Sequence, residues 1–370
     1  MTIRLRNLSA TPAYKPGKAA PTDAPDAHTV FKLSSNENPY PPLPSVVRAL
    51  EEQLDSVNRY PETAASALTR LLCERFDVEP ENVVFGSGSV EIISQLMRAT
   101  AGAGDEIVFA WRSFEAYPML AVAAGATPVA VPLTPTHEHD FAAMLAAITP
   151  RTRLILVCNP NNPTGTTISA DALEDFLAKV PAEIVVVVDE AYLQFNRRPD
   201  TAIGVDAMRR HDNVVVAHTF SKAYGLAGLR VGYALAPETV ATALRQVALP
   251  FGVTSLAQAA AVASLHAETE LDIRVDELVA ERDRVGAALA EQGWELPASG
   301  GNFLWFPLGD DTTTAADVFE EHGLLVRPFA GDGLRVTIAE REANDRIIAA
   351  GAALRSSLLQ QTAVAELELS

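Results

Sequence analysis

A lysine stands where an apolar strand should end. In "VVVAHTFSKAYGLAGLRVGYALA", residues 214–236, the run stops at Thr219-Phe220-Ser221, Lys222 follows, and Arg230 lies just beyond a glycine-rich turn. A lysine held in a partly apolar site loses pKa and becomes a nucleophile able to form a Schiff base with a carbonyl. Thr219 and Ser221 offer short hydroxyls, and Arg230 offers a planar fork for a phosphate. Asp189 closes "VVVVD". A carboxylate at the end of a buried strand needs a cationic or N–H partner, and Tyr192, three residues on, can place a phenol beside it. "CNPNNPTGTTIS", residues 158–169, sets two Asn-Pro steps after a strand, where Asn162 can turn its amide into a site at the sheet's carboxyl edge. In "FGSGSVEII", Gly88, Ser89 and Val90 sit at a strand-to-helix turn whose backbone N–H groups and dipole attract an anion. Taken singly, each has a plain reading as a tight turn, turn punctuation or an ion pair.

Converging on one sheet edge, these groups describe one ligand. It has a phosphate for the glycine turn, the hydroxyls and Arg230, and a protonatable ring nitrogen for Asp189. It has a phenolic oxygen for Asn162 and Tyr192, and a carbonyl carbon for Lys222. Pyridoxal 5'-phosphate has all four, and a lysine Schiff base with an Asp partner to the ring nitrogen is its mark. The turn matches neither the dinucleotide-binding fingerprint nor a Walker A sequence, so a nucleotide-binding Rossmann enzyme is not indicated.

The elements that must position these residues alternate. "NVVFGSGS" leads into "VEIISQLMRATAG" and "DEIVFA"; "RLILVCNP" leads through "SADALEDFLAKV" into "EIVVVVDEAY" and then "NVVVAHTFSK". Strands separated by helical patterns predict βαβ crossovers and a mostly parallel sheet covered on both sides. "IVVVVD" lacks alternation, as a strand buried on both faces would. Residues 1–44 read as an extended arm, because the prolines of "LSSNENPYPPLP" oppose helix, and a helix is predicted from about Ser45. Residues 45–248 form the expected large cofactor-binding domain. Residues 249–370 form a smaller α+β unit with a long helical stretch and the short strands of "GNFLWFPL", "GLLVRPF" and "GLRVTIA". The tail "SSLLQQTAVAELELS" reads as a frayed extension.

Composition is ordinary for a soluble globular protein. The chain has 370 residues, 48% hydrophobic and 21% charged, with net charge −18. Such a polyanion disfavours nucleic acid and anionic membranes as partners. No signal peptide or membrane span is expected, and a cytoplasmic location follows. The two cysteines, Cys73 and Cys158, lack metal spacing; no metal site is predicted, and Cys158 reads as a buried small hydrophobe.

The set "NPNNPTG", "VDEAY" and "TFSKAYGLAGLRVGY", with "NENPY" in the arm, resembles the fold-type I pyridoxal-phosphate aminotransferases. Within them it is most similar to the histidinol-phosphate aminotransferase family and its aromatic (phenylalanine) aminotransferase branch. The resemblance runs from Asn36 to about Ala339. It implies an α/β fold with a large cofactor-binding domain, a smaller α+β domain and a homodimer. By resemblance, Lys222 forms the Schiff base and shuttles the proton, and Asp189 keeps the ring nitrogen protonated. Tyr192 and Asn162 contact the phenolic oxygen. Gly88, Ser89, Val90, Thr219, Ser221 and Arg230 meet the phosphate, and Phe114 stacks on the ring. Tyr60 in "NRYPE" reaches the phosphate of the partner subunit's cofactor. Arg335 binds the substrate carboxylate, with Arg327 near it and Asn38 on the arm also toward substrate. In "AWRSFEAYP", Trp111, Phe114 and Tyr117 enrich the neighbourhood in aromatics. That favours an aromatic amino acid with 2-oxoglutarate over histidinol phosphate. A decarboxylase or a ligand-sensing regulator on the same fold are the other readings; a regulator would carry a DNA-binding domain ahead of the fold.

Overall fold

A computed structural model describes residues 30–368, with side chains through residue 360. The arm's residues 1–29 and the last two residues of the tail lie outside the described residues. The strands are β1 (Phe31–Lys32), β2 (Val83–Gly86), β3 (Glu106–Trp111), β4 (Thr127–Pro132), β5 (Thr152–Cys158), β6 (Val185–Asp189), β7 (Val214–Thr219), β8 (Gly232–Leu235), β9 (Phe303–Phe306), β10 (Leu324–Leu325), β11 (Arg327–Phe329) and β12 (Gly333–Thr337). Seven of them make one sheet in the order β2-β8-β7-β6-β5-β3-β4. The run from β4 to β7 is parallel; β8 runs against it, pairing antiparallel with both β7 and β2, so β2 points the same way as the parallel strands. The fold is the expected mostly parallel α/β arrangement.

The valine run explains itself in this setting. Val187 and Val215 join the core on one face of the sheet, while Val186, Val188 and Val214 join the core on the other. A central strand covered on both sides selects apolar residues at every position rather than at alternate ones. Helix Ser89–Thr100 turns Ile92, Ile93, Leu96 and Met97 inward, all buried, at the spacing one helical face requires. The chain passes from β3 outward to β4, then returns to lay β5 on the other side of β3. This reversal opens a crevice at the strands' carboxyl ends, where open α/β sheets bind ligands.

The long helical stretch after residue 250 is two helices, Ser255–His266 and Glu268–Glu291. The first starts at Thr254, whose side chain accepts from the Ala257 N–H, an N-cap. Three strands form a second sheet, β11-β12-β9. The arm is tied to this part of the chain, because β1 pairs parallel with β10. The tail differs from expectation: it continues helix Arg341–Glu368. One core cluster runs from Leu33 through Leu68, Phe220 and Phe303 to Leu354, so the two sheets share apolar packing. Among the described residues, no helix is long and apolar enough to cross a membrane.

Candidate active site

Four strand ends converge on one cavity. Behind β3 comes the loop carrying Phe114 and Glu115, and behind β5 comes Asn162. Asp189 ends β6 and Tyr192 follows it; Thr219 ends β7, followed by Ser221 and Lys222. Ser89 and Val90 open their helix at the same edge. From the other side come Arg327, Phe329 and Arg335 of β11 and β12, with Ser34, Ser35 and Glu37 of the arm; Arg230 completes the wall. Three expected residues do not line it: Gly88, which immediately precedes the lining residue Ser89, Tyr60, expected at the partner subunit's cofactor, and Asn38. Tyr60 is 81% exposed, its ring stacked 4.4 Å from Phe251. Asn38 donates to the Ala223 carbonyl at 2.9 Å and accepts from the Tyr40 N–H at 3.0 Å. Its amide therefore ties the arm to the loop after Lys222 and does not line the cavity.

The Lys222 amine donates to the Ser35 carbonyl at 2.9 Å. Desolvation, then the Arg335 charge, push its pKa down to about 7, with Glu37 opposing them. A neutral amine is thus available near neutral pH. Arg230 donates to the Ser221 hydroxyl at 3.2 Å and to the Ser87 carbonyl at 2.9 Å. Gly88 has φ +82°, and a Cβ there would collide with the Arg230 guanidinium. The positive φ favours glycine there, and the missing Cβ leaves room for the guanidinium.

Asp189 departs from expectation in an informative way. Its phenol partner is Tyr117, which donates to Oδ2 at 2.7 Å. The Tyr192 hydroxyl instead accepts from Asn36 Nδ2 at 3.0 Å, and its ring meets Phe303 edge-on at 5.0 Å. The reason is direction: the turn after β6 swings Tyr192 toward the arm and β9, while helix Ala116–Ala124 brings Tyr117 under the sheet edge. Burial raises the Asp189 pKa; the bonds from Tyr117 and the Ala191 N–H pull it back. Oδ1 is buried without a hydrogen-bond partner among the described residues. Tyr117 also stands edge-on to Phe114 at 5.5 Å. Its place three residues after Phe114 was the available signal, and the turn that opens the helix joins them, the Tyr117 N–H donating to the Phe114 carbonyl at 3.0 Å. Cys158 is buried as expected, and burial pushes its thiol up to about 12, which removes it as a nucleophile.

Arg335 is buried and donates to Asn162 Oδ1 and, at 2.6 Å, to the Ser34 carbonyl. The expected phenolic-oxygen contact and the expected carboxylate fork therefore touch each other. Arg327 reaches the cavity wall but is ion-paired with Glu115 at 2.6 Å.

Residues 28–351 match the family described as aminotransferase class I and II. The chain is 56% identical to an aromatic amino acid aminotransferase of Streptomyces avermitilis over 91% of this chain and 93% of that one. It is 53% identical to the protein of the same name from Streptomyces coelicolor, over 95% and 97% of the two chains. Its fold is similar to that of a histidinol-phosphate aminotransferase from Sinorhizobium meliloti in complex with pyridoxal-5'-phosphate, with TM-score 0.85, 26% identity, and coverage of 97% and 99%.

Proposed function

The chain belongs to the aminotransferase class I and II family, and on that premise we propose that it moves an amino group between an aromatic amino acid (phenylalanine, tyrosine or tryptophan) and 2-oxoglutarate with pyridoxal 5'-phosphate as cofactor. One observation carries the reading: a lysine amine with pKa about 7 shares a cavity with a carboxylate oxygen that lacks a partner. The shared name of the relatives supports the aromatic donor.

The residues fit the cofactor. The bare Asp189 Oδ1 calls for a cationic N–H donor, which a protonated ring nitrogen supplies. The Gly88 turn, the start of helix Ser89–Thr100, Ser221 and Arg230 form a cradle that a Cβ at Gly88 would fill, suited to a phosphate. When bound, the cofactor supplies an electron sink that makes the substrate's Cα–H acidic. Lys222 Nζ takes and returns that proton, a role its lowered pKa suits. Asp189 holds the positive charge on the ring nitrogen. Tyr192 and Asn162 would lie toward the phenolic oxygen, with Val90 and Thr219 on the phosphate side, and Phe114 would cover a ring face. Arg335, buried beside Asn162, forks the substrate carboxylate. Residues 45–248 hold the cofactor and residues 249–370 bring the substrate arginines to it. Tyr60 and Phe251, exposed and stacked on each other, suit a homodimer interface, from which Tyr60 would reach the partner's phosphate site.

The direct test compares kcat/KM for phenylalanine and histidinol phosphate, each with 2-oxoglutarate. Phenylalanine is expected to win by at least about tenfold. A preference for histidinol phosphate overturns the donor assignment and leaves the lysine chemistry standing.

The lowered Lys222 pKa makes a second prediction. The folded value, about 7, lies below the ordinary 10.5. Between them the folded amine is neutral while an unfolded one is protonated, so this group's contribution to stability grows with pH across that window. Capture of pyridoxal phosphate by apo-protein should accelerate about tenfold per pH unit below the midpoint and level off above about 7. Stopped-flow growth of the yellow colour reads it; acceleration continuing to pH 10 would contradict a depressed pKa.

A further inference from the structure

Two arginines face the cavity from one hairpin. Arg327 and Arg335 are cross-strand partners in the β11–β12 register, so both side chains leave the same face. Like charges placed directly opposite each other destabilise a sheet. The two are compensated by different means. Arg335 donates to neutral oxygens of Asn162 and Ser34. Arg327 donates through Nε at 3.1 Å and Nη2 at 2.6 Å to Glu115 Oε2. Glu115 lies 212 residues away in sequence, next to Phe114 in the loop after β3, and both line the cavity. One loop therefore supplies an apolar ring and a carboxylate to the same wall.

Resting on the transaminase reading above, we propose that Glu115 is a specificity-determining residue: by occupying Arg327 it withholds that cation from any anionic group at the far end of the substrate, so donors ending in an uncharged ring are favoured. A phosphate or carboxylate arriving at this wall meets the Glu115 charge before it meets a guanidinium. It must either displace Glu115 or accept a like charge at close range, which is how a site discriminates by repulsion as well as by attraction. A phenyl ring meets Phe114 and Phe329 there and needs no countercharge. The mask acts on any distal anion, including the second carboxylate of 2-oxoglutarate. The acceptor is therefore held at this wall only by displacing Glu115.

A plain strap between the two sheets is the competing role. Arg112 and Asp332, paired at 2.6 Å, make such a strap nearby. The two roles separate in a donor comparison. A strap changes both donors alike; a mask changes their ratio.

The test uses holoenzyme of the natural chain, Glu115→Gln, Arg327→Gln and the double variant, in single-turnover half-reactions with phenylalanine or histidinol phosphate and no acceptor. Glu115→Gln is expected to shift the selectivity toward histidinol phosphate by about tenfold, mostly through apparent affinity, and the double variant should lose that gain. In steady state the KM for 2-oxoglutarate should fall in Glu115→Gln. An unchanged donor ratio, or the same gain in the double variant, overturns the proposal. Failure of the natural chain to use phenylalanine would instead sink the donor assignment, and the response of histidinol phosphate to Glu115→Gln would still decide the mask.

Discussion

Lys222→Ala is expected to lower kcat by at least about 10⁴-fold, because it removes the covalent nucleophile and the proton carrier together. The protein should remain folded. The substitution loses one hydrogen bond, to the Ser35 carbonyl, and removes an amine whose charged form is disfavoured by its surroundings. Its thermal transition at neutral pH should match or exceed that of the natural chain. Cofactor can still settle on the Ser89, Ser221 and Arg230 side, so weak binding without the yellow colour of the lysine adduct is the expected spectroscopic result. Transaminase turnover within tenfold of the natural chain would refute the assignment of Lys222.

Asp189→Asn is the second large effect. Asparagine keeps the shape and deletes the charge, so the cavity loses the anion proposed to hold a proton on the cofactor's ring nitrogen. Electrostatic contributions of this kind are worth about 10²–10³ in kcat, and KM should change little because Asp189 ends β6, whereas the arginine wall comes from β11 and β12. Tyr117→Phe is the informative companion. It leaves the carboxylate charged but removes the 2.7 Å bond that aims Oδ1 into the cavity; a loss of about tenfold is expected, since a hydrogen bond to a charged group is worth roughly 1.5–3 kcal/mol. The sign of its pH effect is fixed. Burial raises the Asp189 pKa and the Tyr117 bond lowers it, so removing the phenol raises it further and moves the acid limb of kcat to higher pH. Full activity in Asp189→Asn would remove Asp189 from the mechanism; an acid limb that stays in place in Tyr117→Phe would reduce Tyr117 to packing.

The distinction between Tyr117 and Tyr192 marks where local reading stops. Both tyrosines stand close in sequence to a strand end, and proximity along the chain favoured Tyr192 as the neighbour of Asp189. Which phenol arrives depends on the path of the turn after β6 and on the placement of helix Ala116–Ala124 beneath the sheet edge. Glu115 is similar. It reads as an ordinary charge at the start of a helix until β11 brings Arg327 against it. The arm contributes Ser34, Ser35 and Asn36 through two carbonyls and an amide, contacts that residue type does not signal. The tail's helix was hidden for another reason: its mixed residues carry no turn or stop signal and no strong apolar stripe.

What the chain's own residues determined was the chemistry and the frame. Unbroken valine runs bounded by turn residues favour central strands, and Lys222, Asp189, Asn162 and the Gly88 turn stand at their ends, so local composition and turn chemistry pointed them to one edge. The tertiary structure decided the partners: Tyr117 on Asp189, Asn36 on Tyr192, Glu115 on Arg327, and a Lys222 amine at a pKa of about 7. Hydrogen bonding and desolvation depend on which distant segments share a wall. Strand order and packing set that, and the spacing of residues along the chain does not encode it.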